Sequence, residues 1–209
     1  MTDLLVASRN RKKLAELRRV LDASGISGLT LLSLDDVAPF HEAPETGVTF
    51  EENAVAKAVQ AARETGEVSL ADDSGLTVDA LNGMPGVLSA RWSGTHGNDP
   101  ANTALLLAQL GDVPDERRGA AFVCALALAV PGAEVRVIRG EWSGRIVREP
   151  VGSNGFGYDP VFVPVESDAA GDGRTSAELS PAEKDVLSHR GRALAAMLPE
   201  LTAVLEKRG

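Results

Sequence analysis

Cysteine is almost missing: Cys124 is alone in 209 residues. No disulfide can form within the chain, and a reducing cytoplasm is the expected home. Histidine is scarce as well. His41, His96 and His189 lie far apart with no thiols beside them, a poor set for zinc. No apolar run is long. The longest unbroken one, residues 120–130, stops at Pro131-Gly132 and is too short to span a bilayer. The opening "MTDLLVASRN" lacks the basic-then-apolar order of a secretory signal. Positive charge is in deficit, with a net charge of −9, which argues against broad binding to nucleic acid or to an anionic membrane surface. Aromatic residues make up only 4%, so a place where they gather stands out.

What is present suits a soluble globule. A hydrophobic content of 44% and a charged content of 24% are ordinary for one. The length fits one compact domain, or one drawn out into two lobes. Some of the cations are gathered: Arg9, Arg11, Lys12, Lys13, Arg18 and Arg19 fall within one short stretch, with only Glu16 among them. Part of that set reads as a solvated helix face, and the rest can meet a phosphate.

Strands and helices alternate along the chain. "LLVAS" (4–8) reads as a strand, followed by a helix from about Arg11 with Leu14, Leu17, Val20 and Leu21 at helical spacing and Asn10 as N-cap. "TLLSL" (30–34) is a second strand, leading into an acidic loop. Thr49-x-x-Glu52 is a capping-box pattern opening a helix that runs to Gly66. After "VSLADD" a turn-rich stretch is expected. Asp99-Pro100 then starts a helix ending at Gly111. "AAFVCALALAV" and "EVRVIRGEW" read as paired strands across Pro131-Gly132. "PVFVPV" is a late strand, "ESDAAGDGRTS" a flexible loop, and Ser180-Pro181-x-Glu183 caps the last helical region. Mixed α/β is the fold class.

Several segments carry possible chemistry. In "VASRNRKK" a strand end, a polar bend and a helix start follow one another. Free N–H groups at a helix start favour an anion, and Lys13 can reach the same spot. The segment has no glycines and is not a Walker A loop. In "SLADDSGLTVDAL", Asp72 and Asp73 admit two readings: an Asp-Ser-Gly turn, or a strand whose alternation sends one carboxylate to a site. Asn53, Lys57, Gln60 and Glu64 form one polar stripe on the second helix. It is either a solvated face or, through Lys57, the wall of a cleft. Glu45 with Asp72 or Asp73 has the hard oxygens that Mg²⁺ prefers. In "GSNGFGYDP", Phe156 and the sole tyrosine, Tyr158, sit among glycines: a stacking platform for a base, or a tight loop pinned into the core. "EKDVLSHRGR" places Lys184, His189 and Arg190 around the end of a short helix that Gly191 terminates.

Taken in order, "SRNRKKLAEL", "ETGVTFEENAVAKA", "ADDSGLTVDAL", "PGVLSARW", "GFGYDPVF" and "AELSPAEKDVLSHRGRAL" resemble the inosine/xanthosine triphosphate pyrophosphatase family, from residue 4 to about 195. The resemblance implies one nucleotide-pyrophosphatase domain over residues 1–209, an elongated mixed sheet flanked by helices, two lobes with a cleft between them, and a homodimer. It also implies Mg²⁺-dependent cleavage of non-standard purine triphosphates (ITP, dITP, XTP) to monophosphate and pyrophosphate, which cleanses the nucleotide pool. Ser8, Arg9, Asn10, Arg11, Lys12 and Lys13 would form the triphosphate segment. Glu45 and Asp73 would hold the metal with Asp72 close by, and Asp73 would also be the base that activates water. Ser74 would touch substrate and Lys57 would face the phosphates. Phe156 would stack on the purine within the segment Phe156, Gly157, Tyr158 and Asp159, and Lys184, His189 and Arg190 would read the base. Many relatives have glycine where this chain has Arg9, and often another at Lys12, so side chains here would take over part of the backbone's contact with phosphate.

Other functions fit less well. A related pyrophosphatase for modified pyrimidines would give the "SHR" segment no purine to read. A regulator that only binds nucleotide has no need of clustered carboxylates, and an RNA-binding module is at odds with the acidic composition. The adjacent aspartates do not match haloacid-dehalogenase spacing, and no Glu-rich Nudix helix follows a glycine loop.

Overall fold

Strand β1 (Thr2–Val6) has apolar residues at consecutive positions, and both Leu4 and Leu5 are fully buried, the pattern of a parallel strand covered on both faces. The computed structural model describes residues 2–24 and 29–208. In it β1 pairs in parallel with β2 (Leu29–Ser33) and with β3 (Val68–Val78). The sheet continues through β4 (Gly119–Ala129), β5 (Arg136–Ile146) and the short β6 (Phe162–Pro164), in the order β2-β1-β3-β4-β5-β6. β6 runs antiparallel to β5, so the sheet is mixed. Helices α1 (Arg11–Ala23), α2 (Phe50–Thr65), α3 (Asp99–Gln109), α4 (Val165–Ala170), α5 (Pro181–Leu187) and α6 (His189–Arg208) flank it. Among the described residues no helix is long and apolar enough to cross a membrane.

The chain divides into two compact units: Met1–Asp73, Cys124–Gly140 and Arg190–Gly209 form the first, and Ser74–Val123 and Glu141–His189 the second. In the first, Leu17 and Leu21 of α1 and Ala193, Leu194, Met197 and Leu201 of α6 pack with Leu4, Val6, Val68, Leu70, Cys124, Leu126 and Leu128. Helix α2 buries Phe50, Ala54, Ala58 and Ala61, a narrow alanine face that lets a helix lie close to its neighbour. The second unit's core holds Leu76, Leu106, Leu110, Phe122, Trp142, Tyr158, Phe162 and Leu179. The few aromatics concentrate there: Phe122 meets Phe162 edge-on at 4.7 Å, and Trp142 lies 5.5 Å from Phe162. Arg118 is buried in the same unit. Its guanidinium donates to the carbonyls of Leu110, Ile146 and Val147 at 2.7, 2.8 and 3.0 Å, tying the end of α3 to the end of β5.

Where local chemistry decides, the expected elements form. Asn10 Oδ1 accepts from the N–H groups of Lys12 and Lys13 and caps α1. Thr49 caps α2 by accepting from Glu52 N, although Glu52 in return takes Val48 N, so the expected box is only half formed. Gly66 closes the helix in the left-handed conformation. Ser180 and Glu183 make the full reciprocal box on α5. Other expectations fail. Asp72-Asp73-Ser74-Gly75 is no turn, because β3 runs straight through it to Val78, with buried residues before and after it. Helix α3 is capped by Asn98, whose side chain accepts from Ala101 N, and it ends at Gln109. Residues 165–170, expected as strand end and loop, form α4. Gly191 does not terminate a helix. The break falls at Ser188, whose extended backbone separates α5 from α6, and Gly191 lies within α6.

The α5 box should be sensitive to acid. Bonds from Ser180, backbone first, and then Arg174 lower the Glu183 carboxyl from 4.5 to about 2. A depressed carboxyl contributes stability that is present above its unfolded value and lost as pH falls through the folded one. Amide-exchange protection at the start of α5 is therefore expected to drop between pH 4.5 and about 2, and Glu183→Gln should flatten that dependence. Unchanged protection across this window would mean that the box does not hold the helix start.

Candidate active site

Strand alternation separates the paired aspartates. Asp72 turns to the face covered by α1 and α6, where its Oδ2 meets Lys13 Nζ at 2.8 Å and Arg190 Nη2 at 3.3 Å. Asp73 turns to the face of α2. There Asn53 Nδ2 donates to its Oδ2 at 3.0 Å, and Lys57 Nζ lies 3.4 Å from its Oδ1. Lys57 Nζ also donates to Glu45 at 2.9 Å, so a single ammonium bridges Glu45 and Asp73.

The two carboxylates differ in character. Burial alone would raise Asp72, but Lys13, Arg190 and Lys57 outweigh it and hold the group well below the usual carboxylate range. For Asp73, burial wins. Desolvation pushes the carboxyl up, Lys57 and Asn53 offset this only in part, and Glu45 adds to the rise. Burial disfavours the Lys57 ammonium, yet Asp73, Asp72 and Glu45 together raise it above its ordinary value. One aspartate is thus locked as a counter-ion, while the other is a carboxylate of raised basicity, the property wanted of a general base.

Around this pair, Ser8 Oγ accepts from Asn10 N at 3.1 Å and shapes the bend before α1. Of the cations in the first turn, Lys13 points inward to Asp72, while Arg11 and Lys12 are exposed. Arg9 is held by the acidic loop, at 2.6 Å from Asp35 and 3.0 Å from Glu42. Arg190 is buried and donates to Glu16 as well as to Asp72. The polar stripe of α2 is not a solvated face: Asn53 is buried, Lys57 bridges two carboxylates, and Gln60 bonds His41 O and Ala43 N.

The second unit holds the remaining residues. Ser74 opens its share of β3. Asp159 is buried; its Oδ2 accepts from Phe156 N at 2.8 Å and from Lys184 Nζ at 2.6 Å, and its Oδ1 accepts from Ser176 Oγ at 2.8 Å. Lys184 Nζ stands 5.8 Å from the centroid of the half-buried Phe156 ring. At Gly155 a Cβ would come within 2.9 Å of Lys184 Nζ, and φ there is +80°, so only glycine suits the position. Gly157 N donates to Asp99 at 2.7 Å, and Tyr158 is a pin, buried with its hydroxyl on Ser89 O at 2.9 Å. His189 stacks on Phe122 with centroids 5.0 Å apart.

Sequence reasoning gave Glu16 and Asp99 no role in a site, and it read Asn53 only as part of a stripe. Glu16 had a signal, as the lone acid inside the cationic run. Asp99 had none, because its contact lies 58 residues away.

Among the described residues no three His, Cys, Asp or Glu side chains converge as a ready-made metal cage. The donor set nevertheless suits Mg²⁺, which binds through one or two carboxylates and fills its remaining positions with water and phosphate. The Lys57 ammonium between Glu45 and Asp73 shows that their oxygens face a common cationic position.

Comparison with known proteins gives this arrangement a lineage. The model of the Ham1 family matches residues 4–200. The chain belongs to the Ham1 family. A Mycolicibacterium paratuberculosis protein named dITP/XTP pyrophosphatase is 71% identical over 209 residues, covering 100% of both chains. One of the same name from Nocardia farcinica is 64% identical over 207 residues, covering 99% of this chain and 98% of its own. Solved structures agree. That of the Mycobacterium abscessus nucleoside-triphosphatase, dITP/XTP pyrophosphatase, has a TM-score of 0.77 at 64% identity, covering 96% of this chain and 100% of its own. A HAM1 protein from Coxiella burnetii has a TM-score of 0.84 at 41% identity, covering 97% and 100%. The mixed α/β fold with a six-stranded sheet flanked by helices is therefore that of the Ham1 family, as the sequence motifs implied.

Proposed function

We propose that this Ham1-family protein hydrolyses non-standard purine nucleoside triphosphates (dITP, XTP and ITP) to the monophosphate and pyrophosphate, with Mg²⁺ as cofactor. The observation that carries the reading is the pair of carboxylates, Glu45 and Asp73, bridged by the Lys57 ammonium beside a segment rich in cations. Relatives covering the whole chain and named dITP/XTP pyrophosphatase support it. The two units act as one pyrophosphatase domain, since β3, β4 and β5 each contribute residues to both. The protein works as a cytoplasmic homodimer on a small molecule, not on nucleic acid or membrane.

In this mechanism Ser8, Asn10 and Lys13, with Arg9, Arg11 and Lys12 around them, receive the triphosphate. Lys13 and Lys57 offset its negative charge. Glu45 and Asp73 would hold the metal with Asp72 close by, and the ion, when bound, would supply electrostatic relief to the phosphate oxygens. Asp73 takes the proton from water. The water oxygen forms a new bond to phosphorus, the α–β anhydride bond breaks, and pyrophosphate departs with the electron pair. Ser74 touches substrate, Phe156 stacks on the purine with Gly157, Tyr158 and Asp159 shaping its loop, and Lys184, His189 and Arg190 read the base. A donor to the 6-oxo group excludes adenine. Guanine is excluded by leaving its 2-amino group unpaired, since an unmatched polar group costs a site dearly.

A hydrolysis panel with ITP, XTP, dITP, GTP, ATP and dUTP, read by phosphorus NMR, tests the whole reading. Pyrophosphate and monophosphate from the first three, with GTP and ATP far slower, is the expected result. Orthophosphate as product, or equal kcat/KM for ITP and GTP, would overturn the reaction or the selectivity respectively. Preference for dUTP would favour a pyrimidine enzyme.

A further inference from the structure

We propose that Asn53 is the positioning residue that ties the loop bearing Glu45 to Asp73, so that the two carboxylates are held ready for one divalent cation. The inference rests on the assignment of Glu45 and Asp73 as the metal-binding pair. Asn53 is only 2% exposed and makes two opposed bonds. Its Oδ1 accepts from Gly47 N at 2.8 Å, and its Nδ2 donates to Asp73 Oδ2 at 3.0 Å. The amide has no choice of orientation. A backbone N–H can only donate, so it faces the carbonyl oxygen, and the NH₂ group is left for the carboxylate.

The other end of the tie is equally constrained. A Cβ at Gly47 would lie 2.6 Å from Asn53 Oδ1 and 2.8 Å from Glu52 Cβ. Glycine is required there for space, which lets the loop backbone approach α2 within hydrogen-bonding reach. Glu45 is two residues away. The rest of the loop is held by the same helix, through Gln60 to His41 O at 2.7 Å and Ala43 N at 3.0 Å, and through Glu52 to Val48 N at 2.8 Å.

Lys57 also touches both carboxylates, yet it cannot be what keeps them in place once a cation arrives. Its ammonium competes for the same oxygens and is repelled by the incoming charge, and its flexible stem lets it leave. The neutral amide of Asn53 can keep both of its bonds with the cation present. Partners of this kind, one step removed from the metal, typically change affinity about 10–100-fold when lost.

The test is Mn²⁺ binding to the nucleotide-free full-length enzyme, followed by the electron paramagnetic resonance of the free ion. The variants are Asp73→Asn, Asn53→Ala, Gly47→Ala and the Gly47→Ala/Asn53→Ala double variant. Asn53→Ala and Gly47→Ala are each expected to weaken Mn²⁺ binding by about 10–100-fold. The double variant should be no worse than the weaker single, because both cut one tie. A purely structural Asn53 would lower the thermal midpoint and leave Mn²⁺ affinity at the parent value. If Asn53→Ala does not fold, Gly47→Ala alone decides. Weakened binding in Asp73→Asn with unchanged binding in the folded Asn53 and Gly47 variants overturns the inference but spares the metal pair. Unchanged binding in Asp73→Asn removes the pair and the inference together.

Discussion

Asp73→Asn is expected to lower kcat for ITP by about 10²–10⁴-fold, the usual share of a general base, while nucleotide binding stays within a few-fold. The substitution keeps the shape and lets the amide oxygen still accept from Asn53 Nδ2, so loop and strand stay in place. It removes a carboxylate of raised basicity, one whose burial outweighs the help of Lys57 and Asn53. The measurement is single-turnover hydrolysis at saturating metal, paired with calorimetric binding of a non-hydrolysable ITP analogue. A parent-like kcat would take Asp73 out of the proton transfer. A kcat loss matched by lost binding would make it a binding residue only.

Asp72→Asn should act on stability instead. Lys13, Asp72, Arg190 and Glu16 form a charge-balanced set, with the Asp72 and Arg190 side chains only 9% and 6% exposed. Neutralising Asp72 leaves two cations facing one carboxylate, and the Arg190 guanidinium cannot shed its proton. Breaking a buried pair in this way typically costs about 3–5 kcal/mol. Urea unfolding should show that loss at neutral pH. The pH sign agrees: a depressed carboxyl stabilises the fold above its ordinary 3.8 and loses that contribution on acidification below it. Asp72→Asn with Arg190→Met should cost less than the sum of the two single changes, since they share one interaction. A loss below about 1 kcal/mol for Asp72→Asn would place the cluster in the range of solvated surface pairs.

These two neighbours differ through pleating and through what the strand crosses. Alternation along a strand follows from the chain alone, and it sends Asp72 and Asp73 to opposite faces. The partner each face meets does not follow from it, because that depends on α1 and α6 covering one face of β3 and α2 covering the other. The same limit explains the turn expected at Asp-Ser-Gly. Those residues favour turns locally, and the pairing of β3 within the sheet, with Leu70 buried before them and Leu76 after them, keeps the strand running.

The sequence by itself determined the caps of α1, α2 and α5 and the family. Asn10, Thr49 and Ser180 bond N–H groups two or three residues away, and such contacts form wherever the helix forms. The motif series from "SRNRKKLAEL" to "LSHRGRAL" identifies the lineage because its chemistry repeats in order along the chain. Only the tertiary structure decided what Asn53, Glu16 and Asp99 touch. Arg190 meets Glu16 across 174 residues of chain, and Gly157 meets Asp99 across 58. Contacts at such separations exist only after the helices have docked on the sheet, and no local preference of the chain encodes them.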